Sequence, residues 1–227
     1  MKKLLIAAAA LLPMLAACDD SEQDTHDPAV YNIVELASRD AEGTAFLHYP
    51  APGDIPVTLR AKTRSATSLE PGDCLFLGYT VNEPADGATA GELPITVKSL
   101  AAILNTEARA VPPEQLDGWD AEPINLLAIW RAGDKIILRC LLTADPEPRH
   151  FGLLVDESTL ADEVPTAYIY HRRVNPVPNY SSQFYTAFSL APILRPAEGS
   201  ARDIKALRVR IANASNPSQN EFTIPLD

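Results

Sequence analysis

INLLAIWRAGDKIILRCLL, residues 124–142, decides the fold of this chain. The runs at 124–130 and 135–142 are apolar, short and rich in residues that favour strands. Between them, RAGD at 131–134 places a glycine before an aspartate, a pair that favours a tight turn. The stretch therefore predicts a β-hairpin.

Further runs of the same kind follow the hairpin. They are HFGLLVD (150–156), TAYIYHR (166–172), QFYTAFSLA (183–191), ALRVRIA (206–212) and EFTIPLD (221–227). In ALRVRIA the apolar side chains alternate with arginines, as expected for a half-exposed strand. Together with the hairpin this makes seven strands, the number typical of an immunoglobulin-like β-sandwich, and we expect one over residues 123–227.

The first half of the chain shows five such runs. They are YNIVELA (31–37), GTAFLHY (43–49), IPVTLRAK (55–62), CLFLGYTV (74–81) and LPITVKSLAAIL (93–104). Five strands within residues 30–105 suit a small β-barrel. The last run is ambiguous, because Leu100, Ile103 and Leu104 also have helical spacing.

The stretch TEARAVPPEQLDGWDAE, residues 106–122, interrupts the series. It is polar, contains a Pro-Pro pair and has no strand period, so we predict a linker between two domains. Pro113 can open one helical turn over residues 114–116.

The N-terminus predicts a lipoprotein signal peptide over residues 1–17. Lys2 and Lys3 precede an apolar run at 4–15 that is too short to span a bilayer. The sequence Leu-Ala-Ala-Cys at 15–18 resembles the bacterial lipobox, in which the cysteine thiol receives a diacylglyceryl group and cleavage then precedes the cysteine. We therefore expect acyl chains on Cys18 to hold the mature chain on the lipid bilayer, since two or more chains bind stably.

An acidic stretch follows the predicted anchor. Residues 18–29 contain five acidic and no basic side chains, a composition that favours a solvated, flexible tether. Acidic residues after a lipidated cysteine also resemble the surface-export signal of Bacteroidetes lipoproteins, although a plain spacer explains them equally well. We expect lipid anchoring in the cell envelope, at the outer membrane and exposed on the cell surface.

Charge and cysteines restrict the partners and the redox state. The chain carries 19 basic and 30 acidic residues, a net charge of −11 that disfavours nucleic acid as a partner. Cys74 and Cys140 each lie inside an apolar run, which favours buried free thiols; a disulfide between them is the alternative.

The sequence contains no recognisable catalytic or metal-binding motif. A GxSxG elbow, an HExxH helix, a P-loop, a CxxC pair and an EF-hand loop are all missing from it. His48, His150 and His171 are scattered without ligand spacing. We therefore predict a protein that is not an enzyme and has no catalytic residue, metal or cofactor. A hydrolase stays open, because carboxylate pairs of glycosidases leave no local signature.

One strand carries the candidate binding residues. Tyr168, Tyr170 and Arg172 alternate and therefore share one face, joining aromatic area to a cation as interface cores do. This strip could contact an extracellular protein or glycan. The alternatives are a core tyrosine at 170 and a solvated loop at the arginine.

Several of these features together resemble one family. The lipobox, the five-strand first half, EPINLLAIWRAGDKIILRCLL (122–142) and HFGLLVDE (150–157) resemble the NigD-like lipoproteins of Bacteroidetes. The resemblance implies an N-terminal OB-type barrel, a C-terminal β-sandwich and strand over most of residues 93–104. For function the resemblance implies little beyond bacteriocin immunity, the role proposed for the family's namesake, because the family has no established chemistry. With the lipobox and the missing catalytic motifs, we expect a surface-tethered, non-catalytic envelope lipoprotein of the immunity type or another binding protein. An accessory sugar- or peptide-binding lipoprotein is the alternative.

Overall fold

Strands dominate the computed structural model, and the predicted all-β class is confirmed. Residues 1–28 lie outside the described part of the chain, so the signal peptide, the lipidated Cys18 and the tether stay predictions. No helix among the described residues is long and apolar enough to cross a membrane. The structure describes residues 29–50, 55–62, 68–83, 91–143, 149–173, 181–197 and 201–226.

Five strands close into an N-terminal barrel. They are β1 (Val30–Asp40), β2 (Gly43–His48), β3 (Val57–Ala61), β4 (Cys74–Val81) and β5 (Glu92–Ala102). Their order around the barrel is β1-β2-β3-β5-β4; β3 and β5 are parallel and the other neighbours are antiparallel. This closed barrel confirms the OB-type prediction. Its interior is filled by fully buried side chains: Leu36, Phe46, Leu59, Leu75 and Leu77.

Strand β5 settles the ambiguity at residues 93–104 in favour of a strand. Its ladder with β4 shifts register between Gly78, which pairs with Ser99, and Tyr79, which pairs with Val97. Such a bulge inserts one extra residue and interrupts the two-residue alternation. The helical spacing of Leu100, Ile103 and Leu104 has another cause, because β5 ends at Ala102 and a separate strand begins at Leu104.

Two further sheets form the sandwich. One has the order β6-β12-β9-β8, with β6 (Leu104–Glu107), β8 (Asn125–Ala132), β9 (Lys135–Thr143) and β12 (Ser181–Ser189). The other has the order β14-β13-β11-β10-β7, with β7 (Arg109–Val111), β10 (His150–Asp156), β11 (Thr166–Arg172), β13 (Ala206–Ile211) and β14 (Glu221–Pro225). One four-residue helix, α1 (Ala191–Leu194), follows β12, and 3-10 turns occupy Pro113–Leu116 and Glu157–Thr159.

The hairpin at residues 124–142 supplies the centre of the sandwich. Strands β8 and β9 are antiparallel and are joined by a two-residue turn, where Gly133 has a φ of 60°. The inward side chains of β9 pack against those of β10 and β13 in one core, whose members include Ile136, Leu138, Leu153 and Val209. The predicted hairpin and sandwich are confirmed.

The strand count and the linker prediction need correction. Among the described residues the sandwich has nine strands, where the sequence predicted seven. The two additional strands, β6 and β7, lie at the end of the predicted barrel and the start of the predicted linker. Both are short and pair in parallel, β6 with β12 and β7 with β10. These strands have four and three residues, which is too short for an alternation of apolar and polar side chains to be recognised in the sequence. Their partners are also remote in sequence. The helical turn that Pro113 was expected to open is present.

The barrel packs on the outer face of the four-stranded sheet. Ile33, Tyr49 and Ile103 of the barrel side meet Trp130 and Ile137 of the sandwich in a small apolar cluster. Cys74 belongs to this cluster, whereas Cys140 lies in the sandwich core. Both thiols are buried and unpaired, as predicted.

Candidate functional site

The candidate binding strip lies on the outer face of the five-stranded sheet. Along β11 the side chains of Ala167, Ile169 and His171 are buried, whereas Tyr168 and Tyr170 are half-buried and Arg172 is exposed. The two-residue alternation expected for a strand thus separates an inner and an outer face.

Tyr168 is engaged by neighbours within the protein. Its ring meets that of Trp119 edge-on, with 5.0 Å between the ring centroids. The guanidinium of Arg210 lies 5.8 Å from the Tyr168 centroid and donates a hydrogen bond to its hydroxyl at 3.4 Å. Both tyrosines also pack against a small buried cluster that contains Val111 and Leu154. Tyr168 therefore supports the sheet face.

Tyr170 and Arg172 open onto a cleft of about 500 Å³, which we call the basic cleft. Its other lining residues are Arg109, His150, Phe151, Gly152 and Arg173. Strand β10 forms the floor, where Gly152 pairs with Tyr170 of β11. Gly152 has no side chain and is itself buried, with the side chains of Leu154 and Tyr170 beside it.

Two arginines of the basic cleft have unoccupied guanidinium groups. Among the arginines that the structure describes, Arg109 and Arg172 alone make no hydrogen bond, ion pair or ring contact. Arg173, by contrast, is held by Glu122, with 3.1 Å between Nε and Oε2. The lining residues within the described ranges include no carboxylate. The cleft is therefore strongly positive on a protein with a net charge of −11.

A buried histidine supports the cleft from behind. His171 stacks on Phe151 with 4.7 Å between ring centroids, and its Nδ1 lies 3.1 Å from the carbonyl oxygen of Glu122. Its Nε2 lies 3.3 Å from Nη1 of Arg149. Burial lowers the pKa of His171. The contact with the Glu122 carbonyl raises this pKa, and the nearby charge of Arg149 lowers it further. A neutral ring that donates from Nδ1 and accepts at Nε2 satisfies both contacts.

Glu122 connects His171 to Arg173 at the rim of the cleft. Its carboxylate accepts hydrogen bonds from the backbone nitrogen of Arg173 at 2.7 Å and from the Arg173 side chain. Burial raises the pKa of Glu122, but the hydrogen bonds from Arg173 outweigh it, and the net direction is downward. The end of β11, from which Arg172 projects, is thus fixed on both sides.

Sequence reasoning identified Tyr170 and Arg172 but missed the other half of the basic cleft. Arg109 lies in the stretch predicted to be a linker, and Gly152 is one glycine in an apolar run. His150 was noted only for its lack of metal-ligand spacing. No local signal joins these positions, because the parallel pairing of β7 with β10 brings them together.

A second concave surface lies at the junction of barrel and sandwich. It is an apolar pocket of about 490 Å³. Phe76 stacks on Tyr31 at a centroid distance of 5.8 Å and meets Tyr185 at 5.6 Å. These rings pack against one another. The pocket also has fewer charged side chains that could bind a ligand than the basic cleft has.

The chemistry of the basic cleft suits binding. Its lining residues supply guanidinium groups, one imidazole and one phenol. Within the described part of the chain, no group of three or more His, Cys, Asp or Glu side chains could hold a metal ion. A guanidinium group can donate two parallel hydrogen bonds to a carboxylate or another oxyanion.

Comparisons with known proteins define a class of fold, a closed five-stranded barrel packed on a β-sandwich. No protein-family model matches the chain, and no curated protein sequence is similar to it. Solved structures with this fold include a candidate lipoprotein of Bacteroides fragilis. It has 10% identity and a TM-score of 0.65 over 88% of this chain and 98% of that one.

Two other solved structures extend the comparison. A Bacteroides vulgatus protein of unknown function has 13% identity and a TM-score of 0.63 over 88% of this chain and 90% of that one. A NigD-like immunity protein from Bacteroides caccae has 13% identity and a TM-score of 0.56, covering 87% and 97%. The resemblance drawn from the sequence is thus confirmed in the fold.

Proposed function

We propose that this protein is a lipid-anchored protein of the cell envelope that binds an external ligand in the basic cleft without catalysing a reaction. The main support for the proposal comes from Arg109 and Arg172. Their guanidinium groups have no partner within the described chain, whereas every other described arginine has one. Unpaired cations concentrated in one concavity of an acidic protein are available for a ligand.

Anchoring rests on the sequence around Cys18 and is supported by the fold neighbours, one of which is described as a candidate lipoprotein. Acyl chains on Cys18 would each contribute about 0.8 kcal/mol per buried methylene, enough for stable attachment when two or three are present. The acidic tether would hold the folded part away from the anionic membrane surface. We assign the protein to the outer membrane, facing outward.

A protective role in bacteriocin immunity is the form of binding that the sequence resemblance favours, and one fold neighbour bears the name NigD-like immunity protein. In that role the protein would bind an extracellular toxin stoichiometrically. An accessory role in capturing a sugar or peptide uses the same cleft and differs only in the ligand.

The experiment is a capture from the native envelope and culture medium with the lipidated protein as bait. The wild type is compared with the Arg109→Gln/Arg172→Gln double variant. Arg208→Gln is the matched control, since Arg208 projects from the same sheet and pairs with Glu221 at 3.6 Å outside the cleft. We expect the ligand to be retained by the wild type and by the control, and to be lost from the double variant. Equal retention by all three proteins, or conversion of the ligand to product, contradicts the proposal.

A further inference from the structure

We propose that the basic cleft binds an acidic oligosaccharide, in which carboxylate or sulfate groups engage Arg109 and Arg172 and a sugar ring lies over Gly152 beside Tyr170. This inference rests on the proposed function, because it names the ligand class of that same site. The charge, size and floor of the cleft each support it.

The charges select an anionic ligand. Arg109, Arg172 and Arg173 line one concavity, and Glu122 neutralises Arg173 alone. Arg109 and Arg172 have no counter-charge among the described residues. A carboxylate or sulfate supplies one, and its oxygens match the fork of a guanidinium group.

The spacing of the two arginines is compatible with an extended ligand. Arg172 is opposite His150 on one side of β10, and Arg109 is opposite Leu154 on the other side. The arginines therefore approach Gly152 from opposite corners, with Cα atoms about 16 Å apart for ordinary strand spacings. Acidic groups that recur along a saccharide chain can engage both arginines at once.

The floor explains why a glycine lies in the middle of a strand. A Cβ on Gly152 would lie 3.5 Å from Cδ2 of Leu154 and 3.9 Å from Cβ of Tyr170, which are ordinary contact distances. Neither packing nor a left-handed backbone requires glycine there, and glycine weakens a strand interior. Glycine inside a strand often marks a bulge, a bend or the close approach of a ligand or another backbone. The ladder is regular at Gly152, so there is no bulge, and close approach of a sugar ring beside Tyr170 is the interpretation we adopt.

An acidic peptide is the competing ligand. Some extended peptides bind through main-chain hydrogen bonds along a free sheet edge, and others are recognised by clusters of arginines. The arginines alone therefore fit both ligands. The glycine floor beside the ring of Tyr170 favours the sugar, and the peptide becomes an outcome of the test.

The test measures binding of the full mature chain, solubilised in detergent, by isothermal titration calorimetry. The probes are a tetragalacturonate, a chondroitin sulfate tetrasaccharide, neutral cellotetraose and tetraglutamate. We expect one or both acidic saccharides to bind, with an affinity that falls as salt is raised. Arg109→Gln and Arg172→Gln should each lower the affinity about tenfold, whereas Arg208→Gln should leave it within about twofold.

Gly152→Leu supplies the second variant, because it fills the floor while the backbone accepts a side chain. It should abolish saccharide binding without lowering the thermal midpoint. Equal binding of cellotetraose overturns the anionic ligand, and arginine-dependent binding of tetraglutamate in preference to the saccharides overturns the sugar. If no probe binds, the ligand class is wrong. The proposed function is judged separately, since arginine-dependent capture from the envelope would still support it.

Discussion

Lys135 joins the sandwich to the barrel through Glu35, with 2.9 Å between Nζ and Oε2. The same ammonium group contacts Asp134 at 3.0 Å, and Asp134 also pairs with Arg195 at 2.8 Å. Burial lowers the pKa of Lys135, but the hydrogen bonds that its ammonium group donates to both carboxylates outweigh burial and raise the pKa well above its usual range. Lys135 is therefore charged at any physiological pH, and it lies at the contact between the two parts of the molecule.

Lys135→Met should lower the free energy of unfolding by about 2 kcal/mol, because it leaves the partly buried carboxylate of Glu35 without this cation, whereas Asp134 keeps Arg195. Urea denaturation measures the loss. The matched control is Lys205→Met, since Lys205 pairs with Asp203 where both side chains are exposed, and such pairs contribute less than about 1 kcal/mol. Equal losses in the two variants would show that the contact between barrel and sandwich does not depend on Lys135.

Asn105 fixes the start of β4 to the sandwich. Its amide accepts from the backbone nitrogen of Cys74 at 2.7 Å and donates to the backbone oxygen of Cys74 at 2.9 Å. Asn105→Ala should reduce stability by about 2 kcal/mol, because two backbone groups lose their partners. Local opening there should also expose Cys74 in preference to Cys140.

Thiol labelling at pH 8 checks this second prediction. Burial raises the pKa of both Cys74 and Cys140 to about 12, so both thiols should react slowly in the native wild type. Asn105→Ala should accelerate labelling of Cys74, with Cys140 as the internal control. A uniform acceleration of both thiols would indicate global unfolding and contradict a local role.

Folding stability should depend on pH through His171. Burial lowers the pKa of this histidine, so between its folded pKa and its unfolded value of 6.5 the unfolded chain binds more protons. Stability is then complete above pH 6.5 and falls as the pH drops through the folded pKa. His48, whose pKa burial also lowers, adds to the same effect.

Urea midpoints between pH 5 and pH 8 test the third prediction. This window lies above the ordinary titration of carboxylates. The wild-type midpoint should fall on acidification, and His171→Gln should flatten the curve. A wild-type midpoint that rises on acidification would falsify the assignment.

The two tyrosines of β11 should separate into a structural and a binding residue. Tyr168→Ala should lower the free energy of unfolding by about 2 kcal/mol, because a half-buried aromatic loses roughly half of what a buried one loses. It should also shift the fluorescence of Trp119, its ring neighbour. Tyr170→Ala should have the smaller effect on stability and the larger effect on ligand capture. If Tyr170→Ala instead had the larger effect on stability and the smaller effect on ligand capture, Tyr170 would be a core residue, which is the alternative that the sequence left open.

Membrane retention should depend on Cys18. Cys18→Ala removes the site for acyl chains, so fractionation should find the protein unprocessed or released from the membrane. Serine at the same position serves as a second variant of nearly equal size. Normal retention of a mature-length variant would contradict the lipid anchor.

Local pattern was sufficient for the strands that alternate regularly and are joined by short turns. The hairpin of β8 and β9 was predictable because Gly133 and Asp134 form its turn and both strands carry apolar runs. Local pattern did not predict strands whose partners are remote. Strands β6 and β7 are short, and their partners, β12 and β10, follow much later in the chain.

The sequence by itself determined the all-β class, the barrel strands, the hairpin and the excess of acidic charge, since each depends on composition or on neighbouring residues. Tertiary structure alone decided that Arg109 and Arg172 share a cleft over Gly152. The reason is physical: β10 brings β7 and β11 to its two sides by hydrogen bonding between remote segments, and remote pairing leaves no periodic trace in any one segment.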